Sequence, residues 1–315
     1  MYMNDNNNED DEDDNNKKNV VFDAVHFEYN RMASWYDRFW KSYTSATLQL
    51  PLKEVKARII VETSRREEDN GGDGGAIFSS EDSKSIIVVD VGCGTGTFLK
   101  QLFDEYTASR DEKTISTSSC GNVSSDGALA SVLSPQSLKL YGIEPMEEML
   151  QQATSKFNNV GGGGNNDDNS SPVTVLFERF PAEQLPLKDN SVDIVVSTNA
   201  FHFFRNKQQS LCEIQRVLKP SNWNGADNDD GGGALILTDW CNDYVIVKLY
   251  HLIERVRWNW IHGFKDAYPS PLSRDELAML VEAAGLCINM HVTYRVRVFS
   301  IFFWGMQSLV ATKRE

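Results

Sequence analysis

A doubly wound α/β domain is the fold this sequence predicts, and three observations predict it. Short apolar runs rich in Val and Ile alternate along the chain with amphipathic stretches, the rhythm of β-α units. The first of these runs are almost continuously apolar, as strands of a parallel sheet covered on both faces must be. One of them, "VVDVGCGTGTFLKQL", passes through glycines at alternate positions straight into helix-forming residues, the pattern of a strand, a bare turn and a helix.

Taken in order, the expected strands are Ser85 to Gly92, Leu138 to Glu144, Val173 to Arg179, Val192 to Ala200 and Gly233 to Trp240. A helix follows over Ser273 to Gly285, where Ser273 can cap the first turn, Glu276 can complete a capping box and Gly285 suits the end. Two further strand-like runs, "LCINMHVTYRV" and "FSIFFWGMQSLVAT", close the chain, bringing the strands to seven. Low-complexity segments at Arg66 to Gly75, Thr107 to Ser131, Asn158 to Ser171 and Ser221 to Gly233 are rich in Gly, Asn, Asp and Ser. Long loops add little closure entropy, so such insertions are read as surface turns between the elements. Residues 1–19 have almost nothing to bury and are expected to be a disordered acidic tail; 20–84 form an N-terminal helical cap; the sheet domain occupies 85–315.

Composition narrows the function. With 315 residues, 41% of them hydrophobic, the chain can bury a substantial core. No apolar run approaches the roughly 20 residues of a membrane span, and the acidic, Asn-rich start is unlike a basic leader, so the expected location is the cytoplasm. Five widely spaced cysteines without a CxxC pair read as free thiols, with no metal site. A net charge of -14 disfavours broad contact with nucleic-acid phosphates, although seven acids of that balance fall in residues 1–19 against Lys17 and Lys18.

The glycine turn carries the chemistry. Asp90 closes the first strand, and Gly92, Gly94 and Gly96 let a ligand approach the main chain at a helix end whose free N–H groups favour polar or negative atoms. The second strand ends in Glu144, where an acid can accept from both ribose hydroxyls of an adenosine. Glu144 follows Gly96 by 48 positions, but without the low-complexity insertion the gap is close to the roughly 20 expected of a ribose acid. A dinucleotide turn would place its third glycine at Thr97, and no Lys-Ser or Lys-Thr follows the turn as in a P-loop. The spacing therefore suits a nucleoside without a pyrophosphate, S-adenosylmethionine being the candidate, and disfavours an NAD-linked oxidoreductase.

Four blocks in order, "VVDVGCGTGTFLKQL", "LYGIEPMEEMLQQA", "ERFPAEQLPLKDNSVDIVVSTNAFHFF" and "EIQRVLKPS" followed by "GGALILTDW", resemble the class I S-adenosylmethionine-dependent methyltransferases. Within these, the resemblance is to the type 11 methyltransferase domain of the ubiquinone and menaquinone biosynthesis enzymes, over about Val88 to Trp240. It implies a Rossmann-like, mostly parallel seven-stranded sheet and transfer of a methyl group to oxygen, nitrogen or carbon of a small-molecule acceptor. By resemblance, Asp90 and the backbone of Gly92, Cys93, Gly94 and Gly96 hold the amino-acid end of the cofactor, directly or through water. Glu144 takes the ribose, Pro145 and Met146 lie beside the adenine, and Ala182 with Glu183 meets the adenine edge. Asn199 and Ala200 line the methionine arm. The family usually shows Asp-Ala-Glu where this chain has Pro181-Ala182-Glu183, so a carboxylate that commonly accepts from the adenine amino group is missing.

His202, in "NAFHFF", is the candidate general base, with a local capping role as the alternative. Upstream, Tyr29, Ala33, Tyr36 and Asp37 match a leading helix that in similar proteins covers the cofactor, with Tyr36 near the methyl group. Trp240 and the aromatic, Arg-containing stretch after it are expected to meet the acceptor. Asp239 and His262 are further acid or base candidates. A non-catalytic member of the fold, acting as a partner or assembly factor, is the competing reading.

Overall fold

The computed structural model describes residues 7–71, 85–116, 137–158, 173–220, 232–262, 269–298 and 302–313. Seven strands form one sheet: β1 (Ser85–Val91), β2 (Ser137–Ile143), β3 (Val173–Glu178), β4 (Ile194–Thr198), β5 (Ala234–Trp240), β6 (Leu286–Val298) and β7 (Phe302–Lys313). The helices are α1 (Asn7–Thr47), α2 (Gln49–Gly71), α3 (Thr97–Ser116), α4 (Glu147–Phe157), α5 (Lys207–Val217), α6 (Val245–His262) and α7 (Arg274–Ala283). A 3-10 turn, Phe201–Phe203, follows β4.

The strand order is β3-β2-β1-β4-β5-β7-β6. β1 pairs in parallel with both β2 and β4, so the chain winds one way from β1 to β3 and the other way from β4 onward. In such sheets the crevice outside the carboxyl ends of the two diverging strands is left open by the crossovers, and ligands bind there. Only β7 is antiparallel, inserted between β5 and β6. Hydrophobic side chains pack both faces: Val89, Val195, Leu235 and Leu237 on one with α5 and α7, Val88, Ile194 and Ile236 on the other with α2 and α3. This two-sided burial explains why the strands read as unbroken apolar runs.

The Ser273 capping box is present, its side chain accepting from the Glu276 N–H while the Glu276 carboxylate accepts from the Ser273 N–H. Gly285, just past the helix, takes φ +80°. Two expected loops begin later than the composition indicated. α3 continues to Ser116, into the stretch read as a loop from Thr107, and α2 continues to Gly71, past Arg66. Each helix is nucleated by buried residues upstream (Phe98, Leu99 and Leu102; Leu52, Val55 and Ile59), and extending a formed helix costs little until Gly interrupts it. The remainder of those loops, and most of Asn158 to Ser171 and Ser221 to Gly233, lies outside the described residues. α1 begins at Asn7, within the stretch expected to be a disordered acidic tail, and its described buried side chains begin at Val25. Cys93, Cys212, Cys241 and Cys287 are free; Cys120 lies outside the described residues.

Gly305 on β7 is needed for close approach, since a Cβ there would lie 2.2 Å from ring carbons of Tyr244, the residue before α6. Gly305→Ala is expected to cost about 2 kcal/mol through overpacking and to lower the melting temperature by roughly 4–8 °C in scanning calorimetry.

Candidate functional site

The turn after β1 is pinned to the end of β2, because the Gly92 and Cys93 N–H groups both donate to the Ile143 carbonyl at 2.8 and 3.1 Å. Gly92, Gly94 and Gly96 all take positive φ, at +77°, +53° and +71°. At Gly92 a Cβ would also come within 2.6 Å of the Ala200 Cβ, so the turn after β1 and the end of β4 touch where any side chain would part them. A Cβ at Gly96 would lie 3.0 Å from that of Ala153, which lets α4 close on the turn.

Glu144 bridges the two halves of this crevice. Its Oε2 accepts from the Gly94 N–H at 2.9 Å and its Oε1 from the Met146 N–H at 3.0 Å. Each oxygen keeps a further lone pair for a ligand hydroxyl. The side chain is buried, and burial pushes its carboxyl up to about 7 while the two N–H donors pull the other way. Asp90 is buried more starkly: neither carboxylate oxygen has a hydrogen-bond partner, and burial, with the Glu144 charge beside it, raises its carboxyl to about 8. An unpaired buried acid of this kind is destabilising alone and is relieved by a nearby positive charge.

A cleft of about 1010 Å³, part of it open to solvent, lies over these groups. Gly92, Cys93, Gly94, Glu144, Pro145 and Met146 line one side. Ala182, Glu183, Asn199 and Ala200 line the other, and Tyr36 reaches in from α1. Asp90 and Gly96 are off the wall: the first is buried at the end of β1, and the second is taken up by the contact with Ala153. Pro181 lines the cleft where the missing carboxylate would be, beside Phe180. Glu183 accepts from the Asn206 N–H at 2.7 Å, which fixes the loop leading into α5.

α1 closes the cleft through a latch that the sequence did not announce. Asp37 Oδ1 accepts from the hydroxyls of Thr95 (2.5 Å) and Thr97 (3.1 Å), and its Oδ2 meets Lys156 Nζ of α4 at 2.5 Å. One α1 carboxylate thus ties the helix to the glycine turn and to α4 together. The Y-x-x-x-A-x-x-Y-D pattern names Asp37, but its partners lie 58 or more positions away and no local pattern identifies them.

A second cavity, about 700 Å³ including its mouth, shares Tyr29, Tyr36, Asn199 and Phe203 with the first. His202 and Trp240 line this one and not the first. The His202 ring is buried, stacks on Trp240 at 4.7 Å between centroids, and meets Asp239 Oδ1 through Nδ1 at 2.6 Å. Asp239 Oδ2 also accepts from the His202 N–H at 2.7 Å, so one carboxylate fixes both ends of that residue. The His202 Nε2 has no hydrogen-bond partner. With Nδ1–H donated to Asp239, Nε2 carries the lone pair. Asn199, at φ +56°, accepts from the Tyr43 hydroxyl (2.7 Å) and donates to Thr47 (3.0 Å), which fixes it between the cavities. Asp239, one of two acid or base candidates of equal weight in the sequence, is thereby singled out by its contact. The His262 side chain lies outside the described residues.

Residues 119–223 match the family model described as "Methyltransferase domain". An uncharacterized methyltransferase of Schizosaccharomyces pombe is 31% identical over 102 residues, covering 31% of this chain and 34% of that protein. The uncharacterized methyltransferase YcgJ of Bacillus subtilis is 30% identical over 93 residues, covering 30% and 33%. The chain thus spans about a third of the length of the curated relatives it matches. A solved S-adenosylmethionine-dependent methyltransferase of Thermotoga maritima, described as a "possible histamine N-methyltransferase", superposes with TM-score 0.50 at 18% identity, over 91% of this chain and 98% of that one. That likeness shows the fold.

The two raised carboxyls give the ligand-free protein a signature. A native pKa above the unfolded value means that the native state binds more protons, so stability falls as pH rises between the two values and is flat beyond. For Asp90 that window ends at about 8 and for Glu144 at about 7. The contribution of these two groups to the ligand-free melting temperature is expected to fall from about pH 4 to about pH 8, and Asp90→Asn to flatten that slope.

Proposed function

We propose that this chain is a class I methyltransferase that moves the sulfonium methyl of S-adenosylmethionine onto a small-molecule acceptor and releases S-adenosylhomocysteine; its methyltransferase-domain match over 119–223 and its fold support the reading. The observation that carries the reading is Glu144, a buried carboxylate held by the Gly94 and Met146 N–H groups at the switch point of the sheet. Its remaining lone pairs suit the two ribose hydroxyls, as a carboxylate ending the second strand of such a sheet does.

The residues present fit this cofactor. Its sulfonium and ammonium groups are cationic, and the cleft is built over two buried acids, one of them with both oxygens unpartnered. Its backbone cradle at Gly92 admits no Cβ. In this reading Gly92, Cys93 and Gly94 hold the amino-acid end, Asp90 answers its charge through the turn, and Gly96 acts by letting α4 approach. Pro145 and Met146 flank the adenine with Phe180, Ala182 and Glu183; Asn199 and Ala200 line the arm that carries the sulfur. When bound, the cofactor supplies an electrophilic methyl group on a sulfonium, with a neutral thioether as leaving group.

The chain's own part is positioning and proton transfer. Methyl transfer is an in-line displacement, for which holding donor and acceptor in register is a large share of catalysis. α1, latched by Asp37, covers the cleft and helps exclude water, and Tyr36 with Asn199 marks the passage between the cavities. His202 takes the acceptor's proton on Nε2, while Asp239 keeps the ring in the required tautomer and balances the imidazolium formed.

Glu144→Ala is expected to weaken S-adenosylhomocysteine binding by roughly 10- to 100-fold in titration calorimetry, the loss of charge-assisted hydrogen bonds. NAD should give no heat with either protein. An unchanged affinity would overturn the assignment. His202→Ala and Asp239→Asn are expected to lower methyl transfer from a radiolabelled donor into cell-extract acceptors by about 10²–10⁴-fold, with S-adenosylhomocysteine affinity kept. Equal turnover in both variants would remove the base from the mechanism.

A further inference from the structure

The second cavity has a chemistry of its own. Its walls are aromatic on several sides: Tyr29, Trp40 and Tyr43 come from α1, Trp240 from β5, and Tyr250 and Trp258 from α6. Four of these rings are locked in pairs at fixed angles, Trp240 edge-on to Tyr250 at 80° and Trp40 edge-on to Tyr43 at 70°, so the box is pre-shaped. The Trp240 indole Nε1–H donates to the Tyr43 hydroxyl at 2.5 Å, joining the β5 wall to the α1 wall.

The charged groups of this box are unequal in sign. Glu28 and Glu254 line it, both with largely buried side chains, against one cation, Arg257. Arg257 is already engaged, donating from Nε and Nη2 to Glu254 Oε2 at 2.8 and 2.5 Å. Arg31, which pairs with Glu28 at 2.9 Å, is outside the lining and largely exposed. A third carboxylate, Asp239, lies directly behind His202. Ring faces and buried carboxylates around one small space are the recognition chemistry of an organic cation, because the ring quadrupole and the acids attract the same charge. An anionic acceptor would find the lining cation, Arg257, already engaged by Glu254, and a neutral one would gain little from the acids.

We propose that the acceptor is an organic amine, taken up as its ammonium ion in this aromatic and acidic box and methylated on nitrogen. The proposal rests on the methyltransferase reading. An ammonium has no lone pair for the methyl group, and the buried Nε2 of His202 is the group that supplies one. The ammonium proton passes to Nε2, and the freed nitrogen pair forms the C–N bond. The C–S bond breaks with its electron pair left on sulfur. The product is a methylated ammonium, held by the same rings, beside an imidazolium balanced by Asp239.

The test is binding, read by tryptophan fluorescence and calorimetry with S-adenosylhomocysteine present. The probes are tetramethylammonium and 2-phenylethylamine, against their neutral counterparts tert-butanol and 2-phenylethanol and the anion 3-phenylpropionate. The cations are expected to bind about 10-fold or more tightly than the neutral counterparts, a preference reduced in Glu28→Gln and in Glu254→Gln. Both variants should keep their S-adenosylhomocysteine affinity, which also shows that they fold. Equal binding of alcohols and cations, preference for the anion, or no probe binding at all while S-adenosylhomocysteine still binds would overturn the amine proposal alone. Loss of S-adenosylhomocysteine binding by the unmodified protein would instead overturn the reading beneath it.

Discussion

Glu144 is the constraint on which the site depends. Its carboxylate takes one N–H from the turn after β1 and one from the turn after β2, and so fixes the distance between the two chain segments that bound the crevice. The turn can come that close only because Gly94 has left-handed backbone and Gly92 has no Cβ to meet Ala200. Burial raises the Glu144 carboxyl, and the two N–H groups oppose that rise. The residue therefore remains within reach of ionisation near neutral pH.

The cost of this arrangement is concentrated at Asp90, a buried acid with no partner for either oxygen. Burying a charge without compensation is expensive, so the group holds its proton to about 8. Strain of this kind is commonly kept where a ligand will relieve it, and a cationic ligand over the turn would do so. In the proposed function, folding stability and cofactor recognition would be coupled through this one carboxyl group.

Over this floor, α1 acts as roof for both cavities. Asp37 latches it to Thr95, Thr97 and Lys156 beside the first cavity, while Tyr43 joins Asn199 and Trp240 beside the second. The two cavities meet at Tyr36 and Asn199, and His202, backed by Asp239, lines the second and not the first. The His202–Asp239 pair and the glycine turn with Glu144 therefore sit at different strand ends, β4 and β5 for one, β1 and β2 for the other, and α1 spans both.

Local chemistry made the frame legible. Continuous Val and Ile runs mark strands buried on both faces, the Ser273 box marks a helix start, and glycines at alternate positions with an acid ending the next strand mark the crevice. Each of these signals is carried by residues close in sequence, where sterics and hydrogen bonding act directly. The reach of α2 and α3 was less legible, because helix propagation from a buried nucleus outweighs polar composition. What tertiary structure alone decided is which distant groups meet: Asp37 with Lys156, Asp239 with His202, Glu28 and Glu254 around one aromatic box. Those contacts depend on how α1 and α6 cross the sheet, a result of packing between elements far apart along the chain, and no periodicity within either element encodes it.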